Sequence, residues 1–333
     1  MARNQSALLN WSQYIPLRAV ASIIGCSPMG LNMRTASLIG DCYYNFVKRR
    51  REGAITNIAR SFPEWDHRKV KQTAQASMQH MFQLFVAEAV KMPSLITPST
   101  WQKYIHFSGL EKISERLVNN KPVIFITGHC GNWELLGYSL SVLGHSVAAV
   151  ARPLDNPLVN DWVLGIREKY GLQIITKWGS VPILQDIISG GGNIGFIADQ
   201  NAGGRGMFVP FFGRLASTYK SIGLLAMRYN VPVACVHAKR LHGQFKYEIS
   251  MTDYIEPHDW SEQPDPLYYI TARYNRAIET MVRNAPEQYL WLHRRWKSRP
   301  QFEQNGLPTP KRLRSQLESL PWLDDQELQA IIG

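Results

Sequence analysis

Between Gly109 and Ala198 the chain passes repeatedly from a helix-like apolar period to a short β-rich run. Helical patterns over 109–119, 132–143, 157–170 and 181–189 alternate with strand patterns at Val123–Thr127, 146–151, 172–176 and 193–198. Parallel neighbours need a long crossover, which a helix supplies. The alternation therefore predicts an α/β fold with a mostly parallel central sheet flanked by helices. After a long loop, QNAGGRGMFVPFFGRLAST, come a helix at 219–230, strands at 231–238 and 244–251, and a helix from Leu267 to Asn284. Upstream, Val70, Ala74, Met78, Met81, Phe82, Phe85 and Ala89 recur at three- and four-residue spacing, which predicts an amphipathic helix over His67–Met92.

Three regions follow: an N-terminal helical, membrane-associating segment at 1–60, a main α/β domain at 61–300, and a C-terminal tail or peripheral helix at 301–333. The 333 residues, 45% of them hydrophobic, suffice for a sizeable core. A balance of 37 Lys and Arg against 26 Asp and Glu gives a net charge of +11, which favours anionic partners such as acidic proteins, phosphorylated lipids, membrane surfaces or nucleic acid. The uncharged stretch between Arg18 and Arg34 is interrupted by Gly25, Pro28 and Gly30. It falls short of the roughly 20 apolar residues that span a bilayer. With Trp11 and Tyr14 at headgroup level, an interfacial or re-entrant anchor and a buried helix pair both fit. Cys26, Cys42, Cys130 and Cys235 are widely spaced, so neither a disulfide framework nor a zinc knuckle is indicated, and a reducing compartment fits best.

Ligands of open α/β sheets gather beyond the carboxyl ends of strands. His129, Arg152 and Asp199 fall at such ends. In ITGHCGNWELLG, His129 and Glu134 are five residues apart, about 140° around a regular helix, so they meet only if His129 lies in the turn before the helix. Glu134 is then expected to accept the imidazole N–H, leaving the other ring nitrogen to take a proton from a hydroxyl; a helix-capping histidine explains the same spacing. Cys130 reads better as packing than as a nucleophile. No HExxH or CxxC spacing points to a metal, and SGGGNIG precedes a strand, which is wrong for a phosphate-cradling loop. Arg152 could fork onto a phosphate or carboxylate, or make a structural ion pair. Asp199 and Gln200 precede an aromatic loop suited to lie along an acyl chain, or to pack in the core. In YLWLHRRWKSRP, His293, Arg294, Arg295, Lys297 and Arg299 could grip phosphates, with Trp291 and Trp296 at a lipid interface. Single-stranded nucleic acid would use the same residues, but no RNA-module motif accompanies them.

GHCGNWE, RPLDNP, ADQN, VPFFG with Ala216 and Thr218, and YLWLHRRWK, in that order, resemble the successive motifs of the lipid A biosynthesis acyltransferases, the lauroyl and myristoyl transferases of the lysophospholipid acyltransferase superfamily. RREGAITNIARSFPEW resembles that family's N-terminal region, and the likeness runs from about residue 40 to 300. It implies an acyltransferase domain moving a fatty acyl chain from acyl-carrier protein or acyl-CoA to a hydroxyl of a lipid A precursor, with no metal or cofactor. It further implies an anionic lipid acceptor, no nucleic acid, and the cytoplasmic face of the inner membrane. His129 would be the general base and Glu134 its orienter. Arg152, Asp199, Gln200, Thr218, Arg294 and Arg295 would serve substrate binding, and amides near Gly131 and Asn132, or Arg152, would stabilise the oxyanion. Other glycolipid or phospholipid acceptors, or a non-catalytic basic membrane- or nucleic-acid-binding protein, are the alternatives. The family usually begins with a strongly apolar segment; this chain departs from that pattern.

Overall fold

The computed structural model describes residues 6–176 and 179–332. A seven-stranded sheet is built from β1 (Ile105–Ser108), β2 (Ile124–Thr127), β3 (Val147–Ala151), β4 (Leu172–Thr176), β5 (Asn193–Ile197), β8 (Val233–Arg240) and β9 (Tyr247–Ile255). Its order is β1-β9-β8-β2-β5-β3-β4, and every neighbouring pair is parallel except β8 with β9. The α/β expectation holds, with the strand positions displaced by a few residues. Two elements escaped the sequence pattern. One is the short edge strand β1. The other lies inside the long loop, where β6 (Met207–Phe211) and β7 (Arg214–Thr218) pair as a separate antiparallel hairpin. Its turn, Phe212-Gly213, has positive φ at both residues, the twist a two-residue hairpin favours.

Both sheet faces are apolar, as a sheet covered on both sides requires. Ile124 and Ile126 of β2 point into one cluster with Ile194, Cys235, Ile270, Tyr274 and Ile278, while Phe125 packs with the opposite cluster around Leu135, Tyr138 and Val236. The period-two alternation of a strand thus sets β2 between two helical layers.

The N-terminal helices are α1 (Ala7–Cys26), α2 (Met29–Phe46), α3 (Lys48–Ser61) and α4 (His67–Phe82). Gly40 of α2 sits against the Gln79 backbone of α4, where a Cβ would come within 2.6 Å of Gln79 Cα. Asp41 accepts hydrogen bonds from the Gln75 and Gln79 side chains at 2.7 Å, fixing the same crossing. The helix expected over 67–92 is present and runs on to Leu95, but a π-helical turn, Gln83–Glu88, interrupts its α-helical hydrogen bonding between α4 and α5 (Ala89–Leu95). The remaining helices are α6 (Glu111–Val118), α7 (Trp133–Val142), α8 (Pro157–Arg167), α9 (Ser180–Ser189), α10 (Ser221–Tyr229), α11 (Pro257–Ser261), α12 (Pro266–Asn284), α13 (Gln301–Gln304), α14 (Lys311–Glu318) and α15 (Asp325–Ile332). The last three make the C-terminus an integral layer. Leu317, Leu320 and Leu328 are buried in the main core, and Trp322 packs 5.4 Å from Tyr269 of α12.

Candidate active site

β2 and β5 are neighbours, with Thr127 opposite Ile197, and the Ala198 N–H donates to the Thr127 carbonyl at 2.9 Å. Two residues beyond this register on each strand stand His129 and Asp199. His129 Nδ1 and Asp199 Oδ1 are 2.7 Å apart, and His129 Nε2 faces the Gln200 side-chain nitrogen at 3.3 Å. With Nδ1–H donating to the carboxylate, Nε2 carries the lone pair. The imidazole N–H expected to donate to Glu134 therefore donates to Asp199 instead. Glu134, in the first turn of α7, instead meets Arg167 at the end of α8 through two contacts, 2.8 Å from Nε and 2.5 Å from Nη2. Strand adjacency, which local spacing does not encode, delivers Asp199 to the ring.

Burial pulls the His129 pKa down, but the Asp199 charge and hydrogen bond, with the Glu134 charge behind them, leave it above its ordinary value. Burial acts upward on Asp199; the His129 charge and hydrogen bonds, with Arg295 further off, win and bring it down to about 2. The dyad is charge-stabilised in both members. Trp133 closes one side, its ring 4.9 Å from the imidazole.

The turn carrying His129 is clamped. Gly131 has φ of +65°, and a Cβ there would lie 2.1 Å from the Ala238 carbonyl oxygen, so only glycine fits. Its N–H donates to the Gln288 carbonyl at 3.0 Å, and the Asn132 N–H donates to the Ala238 carbonyl at 2.8 Å. Both amides expected to serve an oxyanion are thus already committed to β8 and to the segment after α12. Asn132 instead caps α7, its Oδ1 accepting from the Leu135 N–H at 3.0 Å. Cys130 is buried with its thiol pKa pushed up by burial, first of all, so it is packing.

The basic, aromatic run 289–300 is largely interior. Arg295 is 1% exposed; its guanidinium donates to the Ser217 carbonyl, to Thr218 Oγ1 at 2.6 Å and to Asn275 Oδ1 at 3.1 Å. Thr218 and Arg295 therefore bind each other behind Asp199, and neither is open to a substrate phosphate. Trp291 is buried, and Phe211 and Phe212 pack with it, Phe62 and Trp296. The aromatic loop expected along an acyl chain is core instead. His293 has a role that sequence did not suggest: its Nε2 accepts from the Asn201 N–H at 3.0 Å and holds the loop after Gln200. Arg294 is exposed. Arg152 lies at the end of β3, beyond β5 from His129, and is exposed, contacting Asp155 at 3.3 Å. Among the described residues no group of three or more His, Cys, Asp or Glu is arranged to hold a metal.

Beside the dyad an apolar cleft opens between α7 and the sheet. It holds about 920 Å³ of empty space, part of it continuous with solvent, and its walls include Thr127, Trp133, Leu140, Ala149, Gly195 and Ile197. Glu134 and Arg167 are the charged residues of its lining.

Residues 3–298 match the family model of the bacterial lipid A biosynthesis acyltransferases. Lipid A biosynthesis acyltransferase 2 of Shigella flexneri is 23% identical over 313 residues, 92% of this chain and 96% of that protein. The lipid A biosynthesis myristoyltransferase of Escherichia coli (strain K12) is 25% identical over 87% of this chain and 88% of its own length. The lauroyltransferase of the same organism is 23% identical over 81% and 85%. This coverage places the chain in the bacterial lipid A biosynthesis acyltransferase family.

Proposed function

We propose that the protein transfers a fatty acyl chain from an acyl thioester, on acyl-carrier protein or CoA, to a hydroxyl of a lipid A precursor, with His129 as general base oriented by Asp199. The observation that carries this reading is the His129–Asp199 hydrogen bond beside a cleft apolar enough for an acyl chain. His129 Nε2 takes the acceptor's hydroxyl proton as that oxygen bonds to the thioester carbonyl carbon. The tetrahedral oxyanion collapses, the C–S bond breaks, and the leaving thiolate recovers the proton from Nε2. The Gln200 amide, 3.3 Å from Nε2, is the side-chain donor we assign to the oxyanion. No step needs a metal or cofactor.

The reading includes attachment to an anionic membrane surface. Among the described residues no helix is long and apolar enough to cross a membrane. Yet α1 exposes Leu8, Trp11, Ile15 and Ile23, α2 exposes Leu31, Leu38 and Phe46, and the basic run Lys48–Arg51 follows directly. Such a face suits an in-plane position at the headgroup boundary. The test is incubation of the purified protein with a panel of acyl-carrier-protein and CoA thioesters, a lipid A precursor and, separately, a lysophospholipid. Mass gain by one acyl chain on the precursor, lost in His129→Ala, is expected. Acylation of the lysophospholipid alone would move the acceptor class, and no transfer from any donor would remove the reading.

A further inference from the structure

Both ends of the π-helical turn bind one arginine. Arg240, at the end of β8, donates to Glu88 Oε1 at 2.6 Å and to Gln83 Oε1. Residues five apart on an α-helix diverge by about 140°, whereas the i→i+5 repeat of a π turn stacks them; the Ala89 N–H to Leu84 carbonyl bond is such a link. Glu88 is fully buried, and its other oxygen accepts from Asn132 Nδ2 at 2.8 Å. From the outer side of the turn, Phe85 meets the edge of Trp133 at 5.8 Å, and Trp133 meets His129. His80, just before the turn, contacts the Gly131 carbonyl through Nε2 at 3.1 Å.

From these contacts we infer that the π turn is a positioning element for the reaction, in which Glu88, locked to Arg240, sets the first turn of α7 and with it the place of the His129 imidazole. The inference rests on the acyl-transfer reading above. Stability alone does not account for the pair, because well-packed apolar replacements of a buried ion pair are often as stable or more so. Nor does capping, since Asn132 Oδ1 makes that bond itself. A carboxylate, which only accepts, admits one orientation of the Asn132 amide: nitrogen toward Glu88, oxygen toward Leu135. Phe85 adds a second grip through Trp133, the residue that both borders His129 and lines the cleft.

The test compares the full chain with Glu88→Gln and with the double variant Glu88→Leu/Arg240→Met. Thermal stability, kcat, KM for the acyl donor and the NMR titration of the His129 imidazole are measured for each. Glu88→Gln is expected to lose both stability and rate. The double variant is expected to regain stability while kcat remains down by about 10–10²-fold, with KM within about twofold, because misplacement of the base costs turnover more than binding. Its imidazole titration shifts. Parental stability together with parental kcat and an unchanged imidazole titration would overturn the inference. If the parent transfers no acyl group from any donor, it is the acyl-transfer reading that fails, and the imidazole titration alone decides: a shift supports positioning and an unchanged curve overturns it. Should the double variant not fold, Phe85→Ala on the exposed side of the turn carries the same comparison. A retained melting temperature with a shifted imidazole signal is expected, and an unshifted one sinks the proposal.

Discussion

His129 Nδ1 and Asp199 Oδ1 meet at 2.7 Å because each stands two residues past a register pair, Thr127 and Ile197, on adjacent parallel strands. A side chain on a turn would need its orienter to be held independently. Here both members stand just past the ends of adjacent central strands, and the turn carrying His129 is itself clamped to β8 through the Asn132 N–H, so the imidazole's direction is a property of the fold. Asp199 in turn stands before a buried layer of Arg295, Thr218, Asn275 and Tyr289.

Asp199→Asn removes the charge and replaces one acceptor oxygen with an NH2 donor, so the ring tautomer is no longer fixed while shape is nearly preserved. It is expected to lower kcat by about 10²–10⁴-fold with a smaller change in KM, in line with the loss of an orienting carboxylate or of its base. Steady-state kinetics with a fixed acyl donor measure this. A variant within threefold of the parent would show that the dyad does not position the base.

The two carboxylates near His129 are separable by pH. The base acts neutral, so turnover falls as pH drops through the raised His129 pKa. Glu134→Gln removes one upward influence and is expected to move the acid limb to lower pH; Asp199→Asn, which removes a charge and a hydrogen bond, moves it further. Equal shifts, or a larger one for Glu134→Gln, would restore Glu134 as the orienter. For stability the signs oppose. Asp199, depressed to about 2, stabilises above its unfolded pKa and loses this as pH falls toward 2. His129, raised, stabilises below its unfolded value and loses this as pH rises through its folded pKa. The joint contribution peaks between about pH 4 and 6.5.

The strand ends were legible because βα alternation is a local signal, and it picked out His129 and Asp199 separately. Their pairing was not. It depends on β2 lying beside β5, a long-range fact, whereas Glu134 is near His129 only along the chain. The oxyanion reading of Gly131 and Asn132 failed for a similar reason: a helix start looks open until the carbonyls of Ala238 and Gln288, more than a hundred residues later, arrive to take the N–H groups. Arg294 and Arg295 look alike in sequence, yet one is exposed and the other buried. A run of aromatic and basic residues has the same composition whether it faces a lipid or packs a core.

Gly195 lines the cleft from the middle of β5, and a Cβ there would meet nothing closer than the Ala148 carbonyl oxygen at 3.9 Å. Gly195→Val is therefore expected to fold at least as well as the parent, since glycine weakens a strand interior. Its methyl groups would occupy cleft volume and shift donor preference toward shorter acyl chains. At about 0.8 kcal/mol per buried methylene, exclusion of two methylenes lowers kcat/KM for the longest accepted chain by about tenfold. Competition among thioesters of graded length checks this. Unaltered preference would mean that the acyl chain lies elsewhere.

Arg295 distinguishes a framework cation from a ligand for lipid phosphate. Arg295→Met fits a similar volume but leaves the Ser217 carbonyl, Thr218 Oγ1 and Asn275 Oδ1 without their donor. The expected cost is about 2 kcal/mol or more in chemical denaturation, the penalty of buried acceptors left unpaired. A substrate contact predicts the reverse: stability near the parent's and a raised KM for the phosphorylated acceptor. Arg294→Met, at the exposed neighbour, provides the internal comparison. It is expected to leave stability unchanged, because an exposed cation without a buried partner contributes little to the folded state. If the two variants unfold at the same denaturant concentration, Arg295 is not the framework cation that its burial and hydrogen bonds indicate.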